Sequence, residues 1–232
     1  MGWRTAVAEN EVAPEAVAWY KIDMADDDPV TDPILRPHRT EEFDSMYVAG
    51  TPPWDIGRPQ PAFVRLFDAG DVRGRVLDVG CGTGEHTLLA ASRGLEATGV
   101  DAAPTAIGLA REKAAQRSLD VRFEVWDALD LPALGMQFDS VLDCGLFHVF
   151  DDDDRARFVA SLGAVVVAGG RYFVLCFSDK QSGDWGPRRV RQEELRDAFA
   201  EGWRVDFIED AVLDITLGPE GALAWLAAFT RA

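Results

Sequence analysis

The residues from Val76 to His86, VLDVGCGTGEH, constrain this chain more than any others. An apolar run of strand character feeds directly into Gly80, Gly82 and Gly84. Glycine lets a backbone turn sharply and lets a ligand press against the main chain. In an open α/β sheet the crevice beyond the strand carboxyl ends is where cofactors sit. The run therefore predicts a strand–turn–helix unit at a nucleotide cofactor site.

Spacing narrows the cofactor. The dinucleotide fingerprint is G-x-G-x-x-G, with a pyrophosphate facing the helix N-terminus. Here the pattern is G-x-G-x-G and Glu85 follows directly. A carboxylate in the first helical turn would repel a pyrophosphate and suits a cationic ligand. Residues 95–101 read as a second strand ending in Asp101, 23 residues after Asp78. An acid about 20 residues past such a loop is placed to accept both ribose hydroxyls. Residues 121–125 read as a third strand closed by Trp126-Asp127-Ala128, and residues 138–145 as a fourth.

These motifs, in this order, resemble those of the class I S-adenosylmethionine (SAM) methyltransferases over residues 43–210. The resemblance implies an α/β, Rossmann-like fold: a seven-stranded, mostly parallel sheet with helices on both faces and an antiparallel last strand. Asp78 supplies the acid ahead of the glycines. The resemblance places Asp127 and Ala128 at the adenine, and Ala102, Cys144 and Trp54 beside the cofactor. Trp54 belongs to a proline-rich lid, residues 43–62, like that of small-molecule methyltransferases related to thiopurine, thiol and quinone enzymes. Tyr47 and Phe147 are expected at the acceptor. His148 follows the fourth strand, and histidine titrates near neutral pH, so it is the candidate general base. The expected reaction is in-line transfer of the SAM methyl to a thiol or to a phenolic or other hydroxyl. An NAD-dependent Rossmann oxidoreductase and a SAM-binding protein without transferase activity are the alternatives.

Composition bounds the partners. The net charge is −17, so a phosphate backbone or anionic membrane is disfavoured as partner. Arg188-Arg189-Val190-Arg191 is an isolated basic cluster. No apolar stretch is long enough to span a membrane, and the first residues carry neither an apolar signal core nor a myristoylation pattern. Three cysteines without metal spacing suit a reducing cytoplasm, and no metal is expected. Asp151 to Asp154 read as an acidic helix start rather than a metal site, because consecutive helical side chains diverge. His86 is expected at the surface or as a cap, and His38 carries no motif.

The domain reading is an N-terminal arm, residues 1–42, ahead of one methyltransferase domain, residues 43–232. Residues 14–20 suggest a short helix, and 26–29 and 32–33 turns. Helices are expected at 84–93, 104–117, 151–166 and 191–200. Strands five and six are expected at 171–177 and 203–209. Residues 222–229 have helical propensity, yet the resemblance puts the antiparallel seventh strand there.

Overall fold

A computed structural model of the protein describes residues 37–183 and 185–232. The arm readings at 14–20, 26–29 and 32–33 lie outside these residues. The first described element is helix α1 (Pro37–Ala49), which crosses position 42 without a break and so joins the arm to the lid. Gly50 ends it, and Pro52, Pro53 and Pro59 keep residues 51–60 irregular. Helix α2 (Pro61–Asp68) opens on a proline, which suits a first helical turn, and buries Phe63, Leu66 and Phe67.

Strand and helix then alternate: β1 (Arg75–Val79), α3 (Glu85–Ser92), β2 (Glu96–Asp101), α4 (Pro104–Gln116), β3 (Arg122–Val125) and β4 (Phe138–Cys144). Helix α5 (Asp152–Val165), β5 (Val166–Phe177), the short α6 (Gln192–Ala198), β6 (Trp203–Ile215) and β7 (Gly218–Arg231) follow. The seven strands form one sheet in the order β3-β2-β1-β4-β5-β7-β6. The β1–β2, β2–β3, β1–β4 and β4–β5 pairs are parallel; β7 runs antiparallel to both β5 and β6. The expected fold class holds. Strands β5 and β6 are longer than their apolar runs suggested, reaching 12 and 13 residues.

Residues 222–229 are strand despite their alanines. Ala224, Leu226 and Ala228 face one core cluster, while Trp225, Ala227 and Phe229 face the other. Burial on both faces with ladders on both edges outweighs local helix preference. The larger cluster lies under α5 and α6, where Tyr172, Phe199 and Phe229 stack. Among the described residues no helix is long and apolar enough to cross a membrane.

Candidate active site

The apolar β1 places Asp78 and the glycine turn at the carboxyl edge of the sheet. Gly82 has φ +52°, and a Cβ there would lie 2.7 Å from the Tyr47 hydroxyl oxygen. Gly80 has φ +67°, and its missing Cβ would meet Leu146. The turn thus closes against the lid helix on one side and the loop after β4 on the other. The Gly82 N–H donates to Asp101 Oδ2 at 2.8 Å, and the Ala103 N–H to Oδ1 at 2.8 Å, with Ala102 half-buried between them. The acid that ends β2 is thereby fixed to the turn that follows β1.

Asp78 is fully buried. Its Oδ2 accepts from the Thr87 N–H at 3.0 Å and the Thr87 hydroxyl at 2.6 Å. Its Oδ1 is buried with no hydrogen-bond partner. Burial pushes the Asp78 carboxyl up to about 7, against the Thr87 bonds, which pull it down. An orphaned acceptor of this kind calls for a ligand that brings a donor or a positive charge. S-adenosylmethionine carries both an ammonium and a sulfonium, and either would answer this oxygen. The residues present fit that cofactor.

The lid is fastened rather than draped. Asp44 of α1 accepts from the Thr105 N–H at 2.8 Å and faces its hydroxyl at 3.2 Å. It caps α4, whose own N-terminal residues Ala103-Pro104 supply no capping side chain. Trp54 Nε1–H donates to the Tyr47 oxygen at 2.8 Å, and Phe43 meets the Trp54 ring edge-on. Asp55 Oδ2 accepts from the Thr83 hydroxyl at 2.8 Å, tying the lid to the glycine turn. Gln60 bonds both the N–H and C=O of Asp214 at 2.9 Å, tying it to the β6–β7 hairpin.

Two expectations need correction here. Glu85 is buried and held by Lys113 and bidentately by Arg117, each contact at 2.9 Å. Its charge is neutralised by α4, so it exerts little repulsion on a phosphate in the crevice. His86 is not at the surface: its Nε2 accepts from the Gln60 N–H at 3.0 Å against the Phe63 ring. Burial pulls it down to about 4, so it stays neutral and latches the lid.

On the acceptor side, β4 ends at the half-buried Cys144, and Gly145 turns the chain with φ +85°. Asp143 Oδ1 accepts from the Leu146 and Phe147 N–H groups, and Oδ2 from the Tyr172 hydroxyl at 2.7 Å. These bonds shape the short 3₁₀ turn Phe147–Val149 that carries His148. His148 Nδ1 accepts from the Phe177 N–H at 3.0 Å, and Nε2 faces Gly145. Burial, then Arg189 and Arg155, pulls His148 down to about 3. A neutral ring bonded in this way carries its proton on Nε2, so it presents a donor there, whereas a base needs a lone pair. Phe147, expected at the acceptor, is fully buried and packs on Phe199 with Arg155 over its ring. Asp127 is exposed, with Oδ1 accepting from the Leu129 N–H at 2.9 Å, and Ala128 is buried beside it. Asp151 caps α5 through the Asp154 N–H, and no group of metal-ligating side chains occurs among the described residues.

Sequence reasoning passed over Asp44, Gln60, Asp143 and Arg155. Only Asp55 left a local trace, as the Asp-x-Gly turn in which Gly57 N–H meets its carboxylate.

A family model described as a methyltransferase domain matches residues 76–170. The 2-heptyl-1-hydroxyquinolin-4(1H)-one methyltransferase of Mycobacteroides abscessus is 40% identical over 182 residues, which cover 74% of this chain and 80% of that protein. The chain belongs to the class I SAM-dependent methyltransferases. A structure solved in work on the conversion of a disulfide bond into a thioacetal group during echinomycin biosynthesis matches this methyltransferase with TM-score 0.75. That match has 38% identity and covers 83% of this chain and 92% of the other. The Burkholderia thailandensis 1,6-didemethyltoxoflavin-N1-methyltransferase, with S-adenosylhomocysteine bound, shares the fold at TM-score 0.68 and 20% identity, over 89% of this chain and 93% of its own. The enzyme is a SAM-dependent methyltransferase of small molecules.

Proposed function

We propose that the methyl acceptor is an ionisable hydroxyl, phenolic or N-hydroxyl, on a small aromatic molecule. The observation that carries this reading is His148, whose Nε2–H stands at the end of β4 with Nδ1 already engaged by Phe177. A fixed neutral donor orients an oxygen lone pair without competing for its proton. The match across four-fifths of a hydroxyquinolone methyltransferase supports the same acceptor class. A thiol is the second reading, favoured by the 27% identity, over 64% of its length, to a probable thiol methyltransferase of Arabidopsis thaliana.

The residues that would hold the cofactor are Asp78, Gly80, Gly82, Gly84, Asp101, Ala102, Asp127, Ala128 and Cys144, with Trp54 and Tyr47 above them. When bound, SAM supplies a methyl group already activated on a sulfonium. Asp101 keeps further acceptor capacity toward a ribose, and Asp127 Oδ2 toward an adenine amine. Trp54 excludes water and offers a ring face to positive charge. Tyr47 sits over Gly82 and so belongs with the cofactor more than with the acceptor. His148 orients the nucleophile. Positioning of this kind, in a dry crevice, supplies on the order of 7–11 kcal/mol in favourable cases.

The test is calorimetric titration with SAM, S-adenosylhomocysteine and NAD, alongside Asp101→Ala, followed by turnover on N-hydroxyquinolones, phenols and thiols. Heat from SAM that the variant loses, with turnover on hydroxyl acceptors, is the expected result. Faster turnover on thiols would move the assignment to sulfur. Heat from NAD alone would overturn it.

A further inference from the structure

Asp143, the last residue but one of β4, is fully buried. Its Oδ1 accepts from the Leu146 N–H at 2.8 Å and the Phe147 N–H at 3.3 Å, and Oδ2 from the Tyr172 hydroxyl at 2.7 Å. Its titratable neighbours bring it no positive charge. Asp78 of β1 has the same sign, β4 itself offers the Cys144 thiol, and β5 offers Tyr172 and the Cys176 thiol. Arg155 of α5 acts on Tyr172 and Cys176, and it is paired with Glu194 of α6. His148, in the turn itself, stays neutral. Burial pushes the Asp143 carboxyl up to about 7, against the hydrogen bonds from Tyr172, Leu146 and Phe147, which pull it down. An asparagine has the same shape, and its Oδ1 can take both N–H groups without burying a charge. An acid that burial makes costly, where an amide fits, points to a role in function.

The turn that Asp143 holds touches both sides of the crevice. Leu146 lies against the glycine turn: a Cβ on Gly80 would come 3.0 Å from the Leu146 Cβ. Two residues further on, His148 accepts the Phe177 N–H. One carboxylate therefore sets the place of both Leu146 and His148. Hydrogen bonds to an ionised acceptor are roughly twice as strong as neutral ones, so the charged form holds the turn tightest. Resting on the placement of cofactor and acceptor given above, we propose that Asp143 is a positioning residue for methyl transfer. As a carboxylate it fixes residues 145–149 so that Leu146 and His148 keep the acceptor in line with the methyl group. It acts through the turn, without touching either ligand, and its role is the same whichever atom accepts the methyl.

The experiment compares wild type, Asp143→Asn and Tyr172→Phe. Turnover at saturating SAM is followed across pH on a 1-hydroxyquinolin-4-one, a phenol and a thiol, alongside thermal unfolding and calorimetry with S-adenosylhomocysteine. Asp143→Asn should unfold at a higher temperature than wild type above pH 7, by a margin that narrows as pH falls, because the raised acid costs stability only where it is ionised. Its kcat should nevertheless drop by about tenfold through misplacement of the acceptor. Affinity for S-adenosylhomocysteine should stay within a few-fold. Wild-type kcat should rise with pH through neutrality, and Asp143→Asn should lose that inflection. Tyr172→Phe keeps the stacked ring and removes a donor that pulls the acid down, so its inflection should move to higher pH. An inflection that stays put in both variants belongs to the acceptor and overturns the proposal. Nitrogen NMR signals of the His148 ring in the S-adenosylhomocysteine complex need no acceptor, and they should move in Asp143→Asn. Wild-type kcat with unmoved His148 signals overturns the proposal, as does failure of Asp143→Asn to fold, which would make the carboxylate purely structural. Turnover on none of the three acceptors would instead sink the acceptor reading, and the His148 signals would still decide the role of Asp143.

Discussion

The two halves of the sheet build their proposed ligand sites by different means. On the β3-β2-β1-β4 side the decisive contacts are short in sequence: Asp78 to Thr87 spans nine residues and Gly82 to Asp101 spans 19. On the β5-β7-β6 side they are long: His148 to Phe177 spans 29, Arg155 to Glu194 spans 39, and Gln60 to Asp214 spans 154. The turn proposed to hold the cofactor has residue types that are dictated locally. The proposed acceptor side is assembled from segments that meet only once the sheet is complete.

The largest effect that separates the halves is expected at the glycine turn. In Gly82→Val a β-branched residue must adopt φ +52° with its Cβ 2.7 Å from the Tyr47 oxygen. Strain of roughly 1–3 kcal/mol, added to the lost space, should cut SAM affinity by about a hundredfold or more. Calorimetry measures this, with circular dichroism to check the fold. Unchanged affinity would mean that the cofactor does not lie on this turn. Gln60→Ala attacks the other half. It leaves the Asp214 N–H and C=O without their partner, which should cost about 1–3 kcal/mol in denaturant unfolding. SAM affinity should change far less than in Gly82→Val, and an equal loss of affinity would erase the distinction between the halves.

Much of the first half was legible because its chemistry restricts residue type. Gly80, Gly82 and Gly84 all take positive φ, and Asp101 sits where an acid must follow the second strand. The seventh strand was legible only through the family resemblance, since Ala222 to Phe229 favours helix until two neighbouring strands bury both of its faces. The acceptor side stayed dark for a different reason. Nothing around Gln60 announces Asp214, and nothing near Phe147 announces that Arg155 will lie across its ring. The reading of Glu85 failed in the same way: Lys113 and Arg117 arrive from another helix to neutralise it.

Smaller tests sharpen the contrast. Glu85→Gln removes those two ion pairs. Both cations are partly exposed and solvent screens them, so about 1 kcal/mol of stability should be lost, and less at high salt. A loss that does not vary with salt would show that the carboxylate acts through packing. The smallest effect concerns protons. Burial raises Asp78 from 3.8 to about 7. The folded chain therefore favours the protonated acid, and that stabilisation, present at low pH, is lost as pH rises through about 7. A cationic cofactor beside Oδ1 favours the ionised form instead. SAM binding should release a fraction of a proton near pH 7 and tighten several-fold above it. Calorimetry in two buffers of different ionisation enthalpy reads that proton, and Asp78→Asn should abolish the release.

The position of β7 has a further consequence, for biosynthesis. The ribosome makes β5 and β6 before the strand that belongs between them, and β7 then pairs along both. Until it does, two long strands present unpaired edges, the kind of surface that recruits other chains. A nascent or clipped product without β7 is thus a candidate for chaperones and proteases, and insertion of that strand is the step that commits the molecule to its finished state.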